Sequence, residues 1–245
     1  MKKDSIHLSV VIPAYNESAR IGETLSHVRS FLDAQPYASE VIVVDDGSTD
    51  MLQEVLEQYM HAMPYLKVIR YMENRGKGYA VRKGMRNAQG EYRLFMDADN
   101  SVTIDHVTKF ISEAQCGHDV VIGSIMLPHS GVAREQNGMH RRILRIVSKA
   151  IRSLLTNLSV HDTQRGFKLF SKEAAERIFA LQRIERFGFD IELLVLAQIM
   201  RFSIKELGVI WDNPIGSKVT LMSYPQSLLE LLTIRWNIFT RRYNF

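Results

Sequence analysis

The sequence has a single cysteine, Cys116, among its 245 residues. One thiol excludes an internal disulfide and any metal centre built on several thiolates, and it fits a reducing compartment. Low-complexity tracts and repeats of fixed period are also missing, which excludes solenoid and array folds. With 46% hydrophobic and 24% charged residues, the composition is that of a globular protein with a sizeable core.

Long apolar runs are lacking as well. No stretch approaches the roughly 18 apolar residues of a membrane-spanning helix, and the opening residues MKKDSIHLSV lack the apolar segment of a signal peptide. We therefore expect no transmembrane helix, no signal peptide and a cytoplasmic location. The net charge is +4, and the excess basic residues are unevenly distributed along the chain.

Several catalytic signatures are absent. The eight histidines do not show the HExxH spacing of zinc peptidases, and Ser124 and Ser217 lack a convincing triad. The glycine-rich segment ENRGKG does not have the spacing of a P-loop, so ATP hydrolysis is not indicated. Peptidase, serine hydrolase and P-loop chemistry are therefore unsupported.

The first half of the chain alternates short β-branched runs with segments of helical spacing. This pattern is typical of an α/β protein whose mostly parallel sheet is covered by helices on both faces. The predicted strands are 8–15, 40–46, 66–71, 92–99 and 119–124. The predicted helices are 18–33, 50–61, 77–88 and 103–115.

The second half is less regular. Its predicted elements are a loop at 126–137, a basic helix at 138–157, helices at 172–181 and 188–201, a strand within 203–211 and a closing amphipathic helix at 224–241. No linker rich in Gly, Ser or Pro separates the two halves. We therefore expect a single domain over residues 1–245.

Polar clusters follow the predicted strands, at the edge where parallel sheets bind ligands. In PAYNES, Tyr15 could stack on a nucleobase and Glu17 could accept a hydrogen bond from ribose. A Pro-containing turn that leads into a helix capped by Asn16 or Ser18 is an equal alternative for PAYNES. In VVDDGSTD, Asp45 and Asp46 offer acceptors to a base or a ribose. Asp-Asp-Gly is also an ordinary turn sequence, and Ser48 or Asp50 could cap the following helix, but a cap does not explain the two adjacent acids. In ENRGKG, Lys77 lies between glycines just before a helix, where phosphate can bind.

The cluster DADNS places Asp97 and Asp99 one residue apart. On an extended strand both side chains point to the same side, so the two carboxylates would repel each other unless a cation lay between them. Hard oxygen ligands of this kind suit Mg²⁺ or Mn²⁺, which often bridge to substrate phosphates. An Asp-rich turn that caps the next helix is the alternative.

Together, PAYNES, VVDDGSTD, NRGKGYAVRKG and DADNS resemble, in order and spacing, the nucleotide-sugar-binding half of the family-2 inverting glycosyltransferases with the GT-A fold. Downstream, DTQRGFKLFS, RFGFDIELL and NPIGSKVT resemble the dolichyl-phosphate glucosyltransferase branch, a close relative of the polyprenyl-phosphate mannosyltransferases. The resemblance covers about residues 7–222. It implies a Rossmann-like sheet in which about 7–124 bind the nucleotide sugar, followed by acceptor-side helices in about 125–245.

The resemblance also implies roles for individual residues. The implied nucleotide-sugar ligands are Pro13, Ala14, Tyr15, Glu17, Asp45, Asp46, Lys77, Asp97 and Ala98. Asp97 and Asp99 would hold Mg²⁺ or Mn²⁺ on the donor diphosphate, and Asp190 would act with Asp99 in catalysis. The candidate acceptor ligands are Ser124, Arg134, Arg141, Arg165 and Lys168. A plain amphipathic helix that begins near Asp190 is the alternative at that position.

Two positions depart from the branch pattern. Ile125 stands where the branch typically has an arginine expected to bind acceptor phosphate, and Arg165 stands where a cysteine or another small residue is more frequent. Acceptor phosphate must then rely on other arginines, Arg134, Arg141, Arg142 or Arg165, or else the acceptor is a sugar hydroxyl.

Two basic segments bear on the acceptor. In 138–157, basic and apolar residues separate into two faces, as in a helix at a membrane surface or a helix that merely covers the core. The C-terminal LLELLTIRWNIFTRRYNF repeats the pattern with aromatic residues, which suits a membrane interface or a homo-oligomer contact. No recognised nucleic-acid-binding motif accompanies the charge, so we expect no nucleic acid partner.

The sequence therefore predicts a metal-dependent inverting transferase that moves a hexose, with UDP-glucose as the expected donor, to polyprenyl phosphate at the inner face of a membrane. A family-2 enzyme that acts on a sugar hydroxyl and a GDP-mannose-dependent mannosyltransferase are the near alternatives. Nucleotidyl transfer would require a glycine-rich loop after the first strand, which PAYNES is not. A non-catalytic nucleotide-sugar-binding protein is the alternative from another class.

Overall fold

The computed structural model describes residues 5–127, 130–132, 160–163, 165–212 and 223–243. The strands are β1 (Leu8–Ala14), β2 (Ser39–Asp46), β3 (Leu66–Tyr71), β4 (Tyr92–Met96), β5 (Val120–Ser124), β6 (Gly131–Val132), β7 (Phe167–Ser171), β8 (Ile204–Gly208) and β9 (Ile210–Trp211). The helices are α1 (Ile21–Asp33), α2 (Leu52–Ala62), α3 (Lys77–Asn87), a 3₁₀ turn (Ile104–His106), α4 (Val107–Gln115), α5 (Lys172–Leu181), α6 (Phe189–Ile199) and α7 (Ser223–Phe239).

Seven of these strands form one mixed sheet in the order β3-β2-β1-β4-β7-β5-β8. Strands β3, β2, β1 and β4 are parallel to one another, as are β5 and β8, whereas β7 runs antiparallel to both of its neighbours. The short strands β6 and β9 pair separately. The predicted α/β architecture with a mostly parallel sheet is therefore confirmed.

Two apolar layers cover the sheet, one on each face. Every residue of β1 is buried, and its alternate side chains enter opposite layers, with Val10 and Ile12 in one and Val11 in the other. The first layer includes residues of α1, α2 and α4, and the second includes residues of α3, α5, α6 and α7. Cys116 follows α4 and is exposed.

Helix α6 is buried on all sides. Every residue from Phe189 to Ala197 is buried, including Asp190 and Glu192. A helix of this kind lies inside the fold. A helix does begin here with Asp190 in its first turn, as the alternative predicted, but the helix is not amphipathic, and two carboxylates lie in an otherwise apolar layer.

Three features of the strands differ from the sequence-based predictions. Strand β4 ends at Met96, so Asp97 and Asp99 lie in the following turn and not on the predicted strand 92–99. Strand β7 was not predicted, although it joins the two parallel parts of the sheet. The predicted late strand is interrupted at the buried Val209, between β8 and β9.

The helix boundaries agree closely with the predictions, and 172–181 coincides with α5. Most of the loop at 126–137 and the whole basic helix at 138–157 lie outside the described residues. Arg134 and Arg141, two of the candidate acceptor ligands, lie in that part of the chain.

Helix α3 packs closely on the sheet at Gly84. A Cβ atom there would lie 2.3 Å from Val11 Cγ1 and 3.0 Å from Val44 Cγ2, both in the second apolar layer. The absence of a side chain therefore allows α3 to approach β1 and β2.

We expect Gly84→Ala to lower the free energy of unfolding by about 1–3 kcal/mol, because the added methyl group forces the helix away from the two valines. Gly22→Ala is a matched control, since a Cβ at Gly22 in α1 would meet no atom closer than 3.6 Å. Urea unfolding should show Gly22→Ala at least as stable as wild type. Equal stability of the two variants would contradict the packing described for α3.

Candidate active site

The ends of β1, β2 and β3 lie side by side at the carboxyl edge of the sheet. Ala14 pairs with Asp45, and Asp46 pairs with Tyr71, so the segments that follow these strands emerge together. Pro13 and Ala14 are buried in β1. Tyr15, the next residue, has 37% of its surface exposed, as a residue that stacks on a ligand requires.

Asp46 holds the loop that leads into α3. Its two carboxylate oxygens accept hydrogen bonds from the backbone N–H groups of Arg75 and Gly76, each at 2.8 Å, and from the Asn74 amide. Asp45 is also buried, and its carboxylate accepts from Ser48 N at 2.8 Å. Both aspartates therefore shape the loops around the predicted nucleotide site, and any contact with a nucleotide comes in addition to these bonds.

The loops after β1 and β2 bind each other directly. Asn16 N donates to Ser48 Oγ at 2.9 Å, Thr49 N donates to Asn16 Oδ1 at 2.8 Å, and Ser18 N donates to Asp50 Oδ2 at 2.9 Å. Within this pair of loops, Glu17 forms an ion pair with Arg20, with 2.7 Å between the nearest nitrogen and oxygen. The predicted ribose acceptor Glu17 thus shares its carboxylate with a neighbouring guanidinium.

Asp97, in the loop after β4, contacts the first turn of α3. The Lys77 Nζ atom lies 2.5 Å from Asp97 Oδ1. Burial disfavours the ammonium form of Lys77, but Asp97 and Asp190 outweigh it and raise the pKa of Lys77. Lys77 therefore stays charged near neutral pH and faces the same carboxylates as the predicted metal.

Asp97 also packs against Gly166, just before β7. The Asp97 N–H donates to Gly166 O at 3.0 Å, and a Cβ on Gly166 would lie 2.1 Å from Asp97 Oδ2. A glycine is required here because the carboxylate fills the space that any side chain would take. The segment DTQRGFK contains this glycine, but no local sequence pattern points to its partner Asp97, 69 positions earlier in the chain.

Asp99 lies in the turn after Asp97. Asn100, the next residue, has a φ of 54°, and Ser101 N donates to Asp99 Oδ1 at 3.1 Å. Burial raises the pKa of Asp99, and the charge of Asp97 adds to this shift. The buried Ala98 between the two acids accepts a hydrogen bond from Thr24 in α1, which fixes the turn.

A second charge pair, this one buried, lies beside the first. The Lys168 Nζ atom lies 2.5 Å from Asp190 Oδ1 and donates to Arg165 O at 2.6 Å. Burial raises the pKa of Asp190, and the ammonium groups of Lys168 and Lys77 oppose this shift. Because Lys168 is fully buried, its predicted contact with acceptor phosphate would require this pair to open.

The remaining candidate acceptor ligands that the structure describes lie near the end of β5. The buried Ser124 accepts from Met126 N at 3.1 Å. The Arg165 side chain is held by Asp162 at 3.0 Å and lies over the Trp211 ring, 4.6 Å from its centre. Ile125 packs against the first apolar layer. Among the residues that the structure describes, Arg165 is the cation nearest in sequence to the Lys168–Asp190 pair, three residues before Lys168.

The loop between α5 and α6 was not predicted to contribute to the site. Glu192 accepts from the backbone N–H groups of Arg183 and Ile184 and from the Tyr243 hydroxyl at 2.6 Å. Burial raises the pKa of Glu192, whereas these donors oppose the shift. The same loop meets the start of α3, since Tyr79 N donates to Glu185 O. Glu192 thus fixes this loop, and the loop in turn supports α3, the helix that begins at Lys77.

The chemistry of the paired acids fits a divalent cation. Asp97 and Asp99 offer hard oxygen ligands in a partly desolvated turn, where burial and the charge of Asp97 raise the pKa of Asp99. Within the described residues, no cluster of three or more His, Cys, Asp or Glu could hold a metal ion. Two carboxylates suit Mg²⁺ or Mn²⁺, since these ions usually keep water and bind substrate phosphates as further ligands.

Comparison with known proteins identifies the family. The family model described as glycosyl transferase family 2 matches residues 9–179. The chain belongs to this family. It is a glycosyltransferase with the GT-A fold, as the sequence motifs predicted.

Curated relatives of this family-2 enzyme are named dolichyl-phosphate beta-glucosyltransferases. The Dictyostelium discoideum protein is 34% identical over 95% of this chain and 75% of its own length. The human protein is 35% identical over 95% of this chain and 76% of its own. The Saccharomyces cerevisiae protein is 36% identical over 89% of this chain and 70% of its own.

Solved structures support the fold. Glucosyl-3-phosphoglycerate synthase from Mycobacterium tuberculosis, in complex with Mn²⁺, UDP and glucosyl-3-phosphoglycerate, matches with a TM-score of 0.69 at 19% identity over 94% of this chain and 80% of that one. The S. aureus TarS 1–349 in complex with UDP-GlcNAc matches with a TM-score of 0.59 at 20% identity, over 98% of this chain and 75% of that one. Among the described helices of the family-2 enzyme, none is long and apolar enough to cross a membrane.

Gly166→Ala tests the contact with Asp97. Its φ lies outside the left-handed region, so alanine strains no backbone angle and only displaces the Asp97 carboxylate. We expect turnover to fall by about 100-fold or more, because misplacement by about 1 Å is enough to have such an effect. Isothermal titration with Mn²⁺ and UDP should show weakened binding, while circular dichroism shows an intact fold. Wild-type turnover would contradict the predicted role of Asp97.

Lys168→Met tests the buried pair. Leaving Asp190 without its partner is expected to lower the free energy of unfolding at neutral pH by about 3–5 kcal/mol. Without Lys168, the pKa of Asp190 in the folded state rises further above its pKa in the unfolded chain. At a pH between these two pKa values, the folded state binds a proton at Asp190 that the unfolded state does not bind. Stability should therefore recover as pH falls through the raised pKa and decline as pH rises. Urea unfolding across this pH range measures the effect.

The double variant Lys168→Met/Asp190→Leu is the control for this prediction. It removes both charges, so most of the stability should return and the pH dependence should disappear. If Lys168→Met lost the same free energy of unfolding relative to wild type at every pH, a charged Asp190 in the folded protein would be contradicted.

Proposed function

We propose that this family-2 glycosyltransferase transfers glucose from UDP-glucose to dolichyl phosphate or a related polyprenyl phosphate, with inversion at the anomeric carbon. The observation that carries the proposal is the 34–36% identity to dolichyl-phosphate beta-glucosyltransferases over 89–95% of the chain. UDP as the donor nucleotide is supported by fold neighbours whose complexes contain UDP or UDP-GlcNAc.

The nucleoside part of the donor is proposed to lie at the ends of β1 and β2. Tyr15 is 37% exposed there and would stack on the base, and the segment Pro13–Glu17 is fixed by its bonds to the loop after β2. Asp45 and Asp46 hold the surrounding loops, so we propose that they contribute mainly by positioning the backbone around the nucleoside.

The diphosphate is proposed to lie between the first turn of α3 and the turn after β4. Lys77 supplies a permanent positive charge beside the positive end of the α3 dipole, where phosphate is favoured. Asp97 and Asp99 would hold Mg²⁺ or Mn²⁺, which when bound would neutralise charge on the diphosphate leaving group. Lys77 then stabilises the same developing charge as the bond to the sugar breaks.

The acceptor phosphate needs little help from a base. A phosphate monoester has a second pKa of about 6, so it is largely ionised near neutral pH and can attack the anomeric carbon directly. We propose that Asp190, held by Lys168, positions groups at the reaction centre, and that Arg165 contributes positive charge on the acceptor side. Peripheral contact with the inner face of a membrane would bring such an acceptor to the enzyme.

Asp190→Asn separates positioning from base catalysis. With a phosphate acceptor we expect kcat to fall by no more than about tenfold, because no proton must be removed from the nucleophile. With a sugar-hydroxyl acceptor the same change should cost about 100-fold or more. Steady-state kinetics with saturating donor measures kcat, and a loss of several orders of magnitude with donor binding intact would favour the hydroxyl acceptor.

A donor panel tests the proposed function as a whole. UDP-glucose, UDP-galactose, UDP-GlcNAc and GDP-mannose are each offered with polyprenyl phosphate and Mg²⁺ or Mn²⁺, and lipid-linked product is followed by chromatography. We expect product from UDP-glucose, and none after chelation of the metal. Product only from GDP-mannose would assign a mannosyltransferase instead.

Matched variants accompany the panel. Asp97→Asn and Asp99→Asn should abolish metal-dependent turnover, while Asp105→Asn should retain it. Asp105 carries the same functional group, but it is an exposed residue of the 3₁₀ turn, where it pairs with His27. Loss of turnover in Asp105→Asn would show a general defect and not a metal site.

A sugar hydroxyl is the second candidate acceptor. It is favoured by Ile125, because an apolar side chain packed on the core occupies a position where phosphate binding would require a cation. Product formed only with a hydroxyl acceptor would overturn the lipid-phosphate proposal.

A further inference from the structure

Helix α7 has two apolar faces. One face is inside the fold, with Leu231 at 6% and Ile234 at 0% exposed. The other is outside, and we call it the outer face of α7. It consists of four exposed residues, Leu229 (65%), Leu232 (48%), Trp236 (57%) and Phe239 (80%).

The residues of the outer face form one stripe. At 100° per residue they fall within an arc of about 80°. The rings of Trp236 and Phe239 lie together, with 6.1 Å between their centres. Single exposed apolar residues are ordinary on a protein surface, whereas a continuous stripe of large ones indicates an interaction site.

The charge around the outer face is positive. Arg235 lies on α7, Arg241 and Arg242 follow its last residue, and all three are exposed. The only carboxylate between 223 and 243 is Glu230, which is turned inward and accepts from Gly188 N at 2.7 Å. An apolar stripe with aromatic residues and three arginines, and with no exposed acid, is complementary to the headgroup region of an anionic bilayer.

We propose that the outer face of α7 docks this enzyme on an anionic lipid bilayer. Trp236 and Phe239 would enter the region between the headgroups and the acyl chains, and the three arginines would contact lipid phosphates. The proposal rests on the proposed function, since a lipid-phosphate acceptor lies in such a bilayer. A second copy of this chain, which would cover the stripe without any need for positive charge, is the less favoured occupant.

The docked helix is joined to the candidate active site by two carboxylates. Glu230 binds the residue before α6, so the stripe begins next to the turn that carries Asp190. Tyr243, just after α7, donates to Glu192 on α6 at 2.6 Å. A bilayer bound at the outer face would therefore lie on the acceptor side of the site.

Flotation of the full chain with vesicles tests the docking. We expect binding to vesicles of equal parts phosphatidylcholine and phosphatidylserine, and weaker binding to phosphatidylcholine alone or at high salt. Trp236→Glu/Phe239→Glu should weaken binding by at least about tenfold, because two buried aromatic anchors are lost. Arg241→Gln/Arg242→Gln should weaken binding to the mixed vesicles by about fivefold per residue and leave binding to phosphatidylcholine nearly unchanged.

Met60→Glu is the matched control. Met60 is an exposed apolar residue (45%) on α2, which belongs to the opposite face of the sheet. This variant should bind vesicles like wild type. Wild-type binding by Trp236→Glu/Phe239→Glu would overturn the proposal. Absence of vesicle binding, together with a dimer that the same double variant dissociates in sedimentation, would also overturn it and assign the face to contact between copies.

An activity comparison separates this proposal from the proposed function. Trp236→Glu/Phe239→Glu should keep wild-type turnover with a short, water-soluble isoprenyl phosphate and lose turnover with long-chain polyprenyl phosphate in vesicles. Equal loss with both acceptors would indicate damage to the site and overturn the docking role. Vesicle binding through α7 without transfer to any lipid phosphate would leave the docking intact and refute the proposed function.

Discussion

The contact between Asp97 and Gly166 joins the two halves of the molecule, and the candidate active site depends on it. Asp97 follows the last strand of the parallel group, and Gly166 precedes the antiparallel β7. Because the carboxylate occupies the place of a side chain on Gly166, the proposed metal ligand and the segment with Arg165 and Lys168 cannot move independently. The residues proposed to bind donor and acceptor are thereby held in a fixed arrangement before any substrate binds, as catalysis by positioning requires.

Stability alone does not explain the buried charges on α6. An apolar pair of similar size would often be as stable as the Lys168–Asp190 pair, since two ions must be removed from water. Burial of the Glu192 carboxylate also costs free energy, although several donors form hydrogen bonds with it. Such groups are useful where geometry matters more than stability. Asp190 is held at the proposed reaction centre, and Glu192 ties the C-terminal segment to the loop beside α3.

Local patterns were sufficient for the parallel part of the fold, because β1, β2, β3 and β4 are short, mostly apolar runs that are followed by polar residues. They failed at β7, where Lys168 interrupts the apolar pattern and is buried only because Asp190, 22 residues later, neutralises it. They also placed the paired acids on a strand that ends at Met96. The residues of the candidate site were found from their motifs. Their partners Gly166, Asn74 and Glu192 were not, since these contacts join distant parts of the chain.

The single thiol of the chain can carry a spectroscopic probe. Cys116 is exposed at the end of α4, and α4 leads from the carboxyl end of β4 back to the start of β5. The thiol therefore lies at the edge of the sheet opposite the candidate active site. A fluorophore or spin label attached there needs no removal of other cysteines and is remote from substrates. The wild-type sequence thus already contains a unique reference point from which the height and tilt of the enzyme above a surface can be measured by spectroscopy.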